Sequence, residues 1–123
     1  MKKRNYFDFI NDIDEAITDI ENFVKSMKYN QFTKDKKTIN AVIRSLEVIG
    51  EAAKKIPGSV KKQYDEVPWK QMMGMRDKLI HEYFGVDTEI IWQVTQTDLP
   101  PVKSFITKML REHTTQSSLG LKS

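Results

Sequence analysis

Four residues near the middle of the chain have side chains suited to phosphodiester chemistry: Arg76, Asp77, His81 and Tyr83. An imidazole titrates near neutral pH and can act as an acid or a base, and a planar guanidinium can bind two phosphate oxygens at once. Side-chain types alone give a weak signal, because a lone histidine on a helix is more often a structural or surface residue. The chemistry therefore depends on the elements that position these side chains.

The segment from Pro68 to Gly85 is predicted to be the helix that carries them. Asp65 is predicted to cap its N-terminus, and Pro68 is tolerated there because the first turn needs no proline N–H. Gly85 suits the position just after a helix C-terminus. The rest of the chain is interpreted around this central helix.

Helical spacing divides the four residues into two stripes. At about 100° per residue, Arg76 and Tyr83 differ by about 20°, whereas Asp77 and His81 are neighbours one turn apart. The two stripes diverge by about 100 to 140°, which is too far for one flat surface. Arg76 and His81 therefore share a ligand only if the helix borders a cleft that another surface closes.

The remaining sequence predicts an all-α fold, an antiparallel bundle of four or five helices. Apolar residues recur at steps of three and four in several segments, with no strand-like alternation. Thr33 or Asp35 is predicted to cap the second long helix, and Pro100-Pro101 to interrupt or kink the chain before the last one. The predicted helices, besides the central one, cover about residues 4–28, 35–56, 59–64, 88–94 and 102–113.

Length and composition indicate one helical domain, residues 1–113, followed by a polar C-terminal tail, residues 114–123. The 123 residues include no cysteine, which excludes disulfides and thiolate metal sites. Two histidines without an HExxH pattern argue against a metal site. No apolar run is long enough for a membrane span, so a cytoplasmic protein is expected.

Charge is distributed unevenly along the chain although the net charge is only +3. Residues 8–24 contain six acids and no base, whereas residues 25–64 contain ten bases against three acids. Such asymmetry suits the binding of a polyanion on the basic part. Two solvated helix faces of opposite sign explain it equally well.

The pattern Arg-Asp-x3-His-x-Tyr resembles the Arg-polar-x3–5-His signature of the HEPN superfamily. The flanking sequence is similar to that of the HepT-like ribonuclease toxins, and the resemblance extends from the first helix to Leu110. The similar flanking residues are Trp69, Gly74-Met75, Ile49-Gly50-Glu51-Ala52, Val86-Asp87, Trp92 and Leu99-Pro100. One departure is Asp77, at a position that is often Asn in relatives.

This resemblance implies a metal-independent endoribonuclease without a cofactor, which acts on RNA as the toxin of a toxin–antitoxin pair. The implied partner is a minimal nucleotidyltransferase antitoxin. Arg76 and His81 match the catalytic pair and Asp77 the residue that supports it. Tyr83 matches the tyrosine that such antitoxins modify with AMP, and Glu51, at the Gly-Glu position, is given a supporting role.

Cleavage through the 2′-hydroxyl of RNA needs both a base and an acid, but one chain supplies a single credible histidine, His81. A two-fold homodimer that buries the central helix would supply a second one and would close the cleft. The alternative is a non-catalytic helical module, in which the same helix forms a dimer or docks a nucleotidyltransferase.

The sequence also predicts the positions and roles of a few further residues. Gly74, inside a helix, predicts a close approach of another helix, with chance as the lesser explanation. Trp69 and Trp92 are predicted to be core anchors, although Trp69 could instead stack on a base. His113 is predicted to lie in the last turn of the last helix. Lysines 54, 55, 61 and 62 are either phosphate guides or solubilising residues.

Overall fold

The computed structural model describes the backbone of residues 5–81 and 87–118, and the side chains of residues 5–75 and 87–113. Within these ranges every regular element is helical, which confirms the all-α prediction. Four long helices form the bundle and three short ones connect them. The helices are α1 (Tyr6–Val24), α2 (Tyr29–Phe32), α3 (Lys36–Lys55), α4 (Gly58–Gln63), α5 (Trp69–His81), α6 (Thr88–Gln93) and α7 (Leu99–Ser118).

Helix α1 is fixed at both ends by local backbone chemistry. The Asn5 side chain accepts a hydrogen bond from the Phe7 N–H at 2.8 Å, and the Asp8 carboxylate accepts one from the Asn5 N–H at 3.0 Å. This reciprocal cap satisfies two N–H groups that the first turn leaves without partners. The helix ends earlier than its apolar period predicts, and Ser26, just beyond it, has a φ of 65° in the left-handed region. That conformation cannot continue a right-handed helix.

The connection to α3 contains an element that was not predicted. The predicted helices end near residue 28 and resume near residue 35, but Tyr29–Phe32 form one helical turn between them, and the Phe32 side chain is fully buried beneath it. Burial of an aromatic ring outweighs the weak helical preference of four residues. Asp35 caps α3 as predicted, because its carboxylate accepts a hydrogen bond from the Thr38 N–H at 3.0 Å.

The central helix α5 begins later than predicted, at Trp69, so the assignment of Asp65 as its N-cap is wrong. Residue 65 lies in a turn, and the first helical hydrogen bond runs from the Met72 N–H to the Pro68 carbonyl at 3.0 Å. The Trp69 ring is only 6% exposed, and its Nε1–H donates to the Tyr64 carbonyl at 3.0 Å. Trp69 is therefore a core anchor, as predicted, and its ring is not available to stack on a base.

The predicted interruption near Pro100-Pro101 is a π-helical turn, Val94–Asp98, that joins α6 to α7 without a break. Asp87 caps α6, since its carboxylate accepts from the Glu89 N–H at 3.0 Å. A π turn shifts the hydrogen-bond register by one residue. The helix can therefore continue through the two prolines, which have no N–H groups to donate. Helix α7 then continues to Ser118, past the expected end near residue 113.

Helix α3 packs against both α1 and α5, and α1 in turn packs against α7. The apolar residues on the facing sides of these four helices form one core, and the largest of them are almost completely excluded from solvent. Lys103 of α7 joins the α1–α7 contact, because its ammonium donates to Asp14 at 2.8 Å and to the Thr18 hydroxyl at 2.7 Å. The largest fully buried side chains include Ile10, Ile13, Ile17, Ile20, Phe32, Leu46, Ile49, Met72, Leu99, Ile106 and Met109.

Met72 lies on α5 and is completely buried. Met72→Ala is expected to destabilise the fold by about 2–5 kcal/mol, because it leaves a cavity beside the core. Lys70→Ala, two residues earlier and exposed, is the matched control and should stay within about 0.5 kcal/mol of the parent. Urea unfolding followed by circular dichroism measures both values. Equal midpoints for the two variants would mean that α5 is not held through Met72.

Candidate active site on α5

The structure confirms the helical backbone under three of the four predicted site residues. Helix α5 runs through Arg76 and Asp77 to His81, its last residue, so these positions keep the helical register on which their predicted stripes depend. The side chains of these three residues lie outside the described part of the chain, and so does all of Tyr83. Their roles as catalytic, supporting and modified residues stay predictions.

The described half of α5 shows how the helix is held. Trp69 and Met72 are buried in the core, and Met73 and Met75 are half-buried against it, so all four side chains serve packing. Gly74 is exposed, and a Cβ built on it would meet nothing within 4 Å. The predicted close approach of another helix to Gly74 is therefore wrong for the part of the chain that the structure describes.

Glu51 lies on α3, the helix against which α5 packs, and it follows the buried Gly50. Its half-buried side chain borders a pocket of about 150 Å³ between α1 and α3. Acids and bases share this pocket with apolar groups, and the Lys55 Nζ lies 5.6 Å from the centroid of the Phe9 ring, a cation–π distance. The pocket is lined by Phe9, Asp12, Arg44, Val48, Glu51, Ala52 and Lys55.

A second, wider pocket of about 640 Å³ opens beside the start of α5 and is bordered by Lys61, Asp65 and Lys70. Lys61 is partly buried there, with its Nζ 3.2 Å from the Met73 sulfur, and burial lowers the pKa of its ammonium. This packing position distinguishes Lys61 from Lys54, Lys55 and Lys62, which are all exposed. Lys61 therefore helps to hold α5 in place.

His113, the second histidine of the chain, is placed far along the bundle from His81. Its ring stacks on Phe7 with 3.4 Å between the ring centroids, and α7 continues beyond it, so its expected place in a last turn is wrong. The neighbouring Glu112 accepts a hydrogen bond from the Tyr64 hydroxyl at 3.0 Å, just before α5 begins. Burial, reinforced by this bond to a carboxylate, raises the pKa of the Tyr64 phenol. His81 is the last residue of α5 and lies about 18 Å along the helix axis from the first residue, Trp69.

One aromatic cluster was not predicted from the sequence. The Trp92 ring of α6 lies 5.1 Å from the buried Phe32 ring and 6.2 Å from the Tyr29 ring, measured between centroids. Trp92 is half-buried, as expected of a core anchor, whereas Tyr29 is 39% exposed. The spacing of Tyr29 and Phe32, three residues apart, is the signal that a helical turn presents both rings on one side.

The described residues include neither a cluster that could hold a metal ion nor a helix that could cross a membrane. No group of three or more His, Asp or Glu side chains among them is arranged to hold a metal ion. In the same part of the chain, no helix is long and apolar enough to cross a membrane.

Comparison with known proteins gives a consistent result along most of the chain. The family model described as HepT-like, ribonuclease HepT-like, matches residues 13–109. A protein of Thermococcus cleftensis named a probable ribonuclease HepT is 48% identical over 107 residues, which cover 87% of this chain and 97% of the relative. A provisionally named RNase of Methanocaldococcus jannaschii is 45% identical over 112 residues, or 91% and 93% of the two chains. No solved structure matches.

The all-α bundle, the Arg-x4-His sequence on α5 and the family match together identify the class of protein as a ribonuclease. The chain belongs to the HepT-like ribonuclease family. The resemblance inferred from the motif and its flanking residues is thereby confirmed, as is the prediction of an enzyme that hydrolyses RNA phosphodiester bonds.

Proposed function

We propose that this chain is the toxin of a toxin–antitoxin pair and cleaves cytoplasmic RNA internally, without a metal ion. Arg76 and His81 are its catalytic residues, and Asp77, one turn before His81 on α5, orients the imidazole or favours its charged form. The family membership supports ribonuclease chemistry, and the order of these residues on one continuous helix supports their assignment.

The reaction requires two proton transfers and one site of positive charge. A base takes the proton of the 2′-hydroxyl as its oxygen attacks the adjacent phosphorus, and an acid gives a proton to the departing 5′-oxygen. The products are a 2′,3′-cyclic phosphate and a free 5′-hydroxyl. The Arg76 guanidinium stabilises the negative charge that grows on the phosphorane oxygens, and a fixed fork does so better than a single point charge.

The position of His113 carries the proposal that two copies of the chain share this work. His113 is packed against Phe7, near the end of the bundle where α5 begins, so it cannot act beside His81 in the same chain. A two-fold homodimer that pairs the α5 helices would bring together two His81 side chains, one as base and one as acid. Glu51, on the neighbouring α3, has a supporting role at most, since its side chain borders the pocket between α1 and α3.

Oligomeric state and cleavage measured on one sample test this arrangement. Size-exclusion chromatography with light scattering should give a dimer, and the dimer fractions should cleave single-stranded RNA in the presence of a chelator. A monomer that cleaves RNA at full rate would refute the shared site. Cleavage that stops when the chelator is added would refute the metal-independent mechanism.

Gly74 offers a further prediction, because within the described chain its surface is open. Gly74→Ala should stabilise the isolated fold by about 1 kcal/mol, the usual gain for this change inside a helix. If α5 pairs closely with its counterpart at this position, the added methyl group should also weaken the dimer and reduce cleavage. Light scattering across a dilution series, together with urea unfolding, separates the two effects. A more stable variant with unchanged dimerisation would place the interface elsewhere.

The proposed partner is a minimal nucleotidyltransferase antitoxin that attaches AMP to Tyr83. In this step the Tyr83 oxygen attacks the α-phosphorus of ATP, a phosphodiester bond forms, and the bond to the β-phosphate breaks. Pyrophosphate leaves, and the phenol loses its proton. The attached group adds a negative charge and a nucleotide near the predicted position of the RNA phosphate, so it opposes binding electrostatically and sterically.

Inducible expression of the wild type and of His81→Ala tests the toxin role. Growth arrest by the wild type alone, with fragmentation of total RNA, is the expected result. The absence of arrest and of fragmentation in both cultures would instead favour the non-catalytic module that dimerises or docks a nucleotidyltransferase. The identity of the adjacent open reading frame gives an independent check on the partner.

A further inference from the structure

The segment of residues 25–37, here called the connector, comprises the chain between α1 and α3 and the first two residues of α3, and it concentrates positive charge at one end of the bundle. It carries the exposed lysines Lys25, Lys28, Lys34, Lys36 and Lys37. Its one acid, Asp35, is committed to capping α3 through the Thr38 N–H. Even with the two acids at the start of α6, Asp87 and Glu89, bases remain in excess at this end. The preceding acidic run, residues 8–24, lies on α1.

The same connector exposes an aromatic ring on a firm support. Tyr29 is 39% exposed, its ring lies 6.2 Å from Trp92, and Trp92 lies 5.1 Å from the fully buried Phe32. A ring backed by a half-buried ring and, behind it, a buried one keeps its orientation without a large loss of entropy on binding. Stacking rings among lysines are the arrangement that binds single-stranded nucleic acid with little regard to sequence.

This surface also lies within reach of the candidate active site. Residues 82–87 alone separate the end of α5 at His81 from the start of α6, so these two points are at most about 25 Å apart. Helix α6 then carries Trp92, which contacts Tyr29. A single RNA strand bound at α5 can therefore continue across α6 to the connector.

We propose that the connector and the Tyr29–Trp92 pair form a second RNA-binding surface, which holds the single-stranded part of the substrate beyond the cleavage site. Tyr29 stacks on a base and Lys25, Lys28 and Lys34 contact successive phosphates. This inference rests on the proposed ribonuclease function for its substrate. It predicts that the enzyme favours long strands over short ones.

Two measurements on the full chain test the surface. Binding is followed by fluorescence anisotropy with an uncleavable 2′-O-methyl RNA of about 20 nucleotides, which exceeds the roughly 4–16 nucleotides that single-strand sites occupy. Cleavage is compared between a single-stranded RNA of the same length and a dinucleotide, which reaches only the active site. The binding assay needs no catalysis, so it still reads the surface if the proposed nuclease activity fails.

The lysine variant combines Lys25→Gln, Lys28→Gln and Lys34→Gln. It should bind the long RNA at least about tenfold more weakly, and the slope of log K against log salt should fall by about 2, because three phosphate contacts are lost. Its KM for long RNA should rise while dinucleotide cleavage stays unchanged. The matched control changes three exposed bases on other elements, Lys70, Lys108 and Arg111, to Gln, and should retain both the affinity and the slope.

The aromatic variant is Tyr29→Ala, which should weaken binding about five- to a hundredfold, whereas Tyr29→Phe keeps the ring and should restore it. Equal losses in the connector triple and in the control triple would mean diffuse charge and would overturn the assigned surface. Unchanged binding in the connector triple, or connector-dependent binding to anionic vesicles without RNA binding, would overturn it as well. Loss of dinucleotide cleavage would also count against it, by showing that the connector supports the active site itself.

Discussion

His81→Ala is expected to reduce RNA cleavage by about a hundredfold to ten-thousandfold, the usual contribution of one general acid or base. The loss should appear in kcat, because the imidazole acts on protons that move in the transition state. His113→Ala is the matched control, since it removes the other histidine of the chain but only loses the stacking contact with Phe7. It should keep its cleavage rate and lose some thermal stability.

A mixed dimer makes this prediction sharper. Two differently tagged chains, one wild type and one His81→Ala, are purified as a heterodimer and assayed on single-stranded RNA. If the two histidines serve one shared site, the heterodimer should have far less than half of the wild-type rate. A rate of half would mean that each chain has its own independent site, and would refute the shared acid and base.

Arg76→Lys completes the test of the catalytic pair. It keeps the positive charge but removes the planar fork that binds two phosphate oxygens, so most cleavage should be lost at unchanged helicity. Full activity in this variant would mean that Arg76 acts only as diffuse charge or has a structural role. Circular dichroism on each variant shows whether a loss of cleavage reflects chemistry or unfolding.

Co-expression with the cognate nucleotidyltransferase is expected to add one or more AMP units to Tyr83 and to abolish cleavage. Tyr83 follows Arg76 by seven positions, so a helix that continued through it would place the phenol on the Arg76 stripe. A phosphodiester attached there would compete with the RNA phosphate for the guanidinium. Intact-mass spectrometry and an RNA cleavage assay on the same sample measure both effects.

Tyr83→Phe should escape the modification and stay toxic in the presence of the antitoxin. Tyr29→Phe is the control, because it removes the hydroxyl of a different, exposed tyrosine. In this variant Tyr83 should still receive AMP. An unmodified Tyr83 in a fully neutralised complex would leave occlusion by the bound antitoxin as the mechanism. Loss of cleavage in Tyr83→Phe without any antitoxin would instead give the hydroxyl a catalytic part of its own.

The fold was predictable from the sequence where one physical effect dominates. The three- and four-residue apolar period gave the long helices, and Asp35 and Asp87 marked the starts of α3 and α6, because a carboxylate at that position satisfies free N–H groups. The prediction failed at Asp65, which lies in a turn stabilised by the Trp69 indole, a tertiary contact that no local signal reports. It failed again at residues 29–32, where burial of Phe32 determines the helical turn.

For the candidate site, the helix that carries the residues was predictable, but the distances between their side chains were not. Order and spacing placed Arg76, Asp77 and His81 on one helix, and that backbone is confirmed. The distances of their side chains from Glu51 depend on how α5 and α3 pack, and no residue spacing contains that information. Gly74 shows the limit most clearly, since the sequence predicts a neighbour but cannot say whether it belongs to the same chain or to a second copy.

The position of α1 between α3 and α7 also governs when the enzyme can first exist during its synthesis. The Asp14–Lys103 ion pair and the Phe7–His113 stack join residues from nearly opposite ends of the chain. At about 5–20 residues per second, the ribosome completes α7 several seconds after α1 has emerged. Until then the α7-facing side of α1 has no partner, so a nascent chain cannot hold the full bundle. Folded enzyme therefore forms only after α7 has been synthesised, and a chain that stops before α7 leaves the apolar face of α1 uncovered.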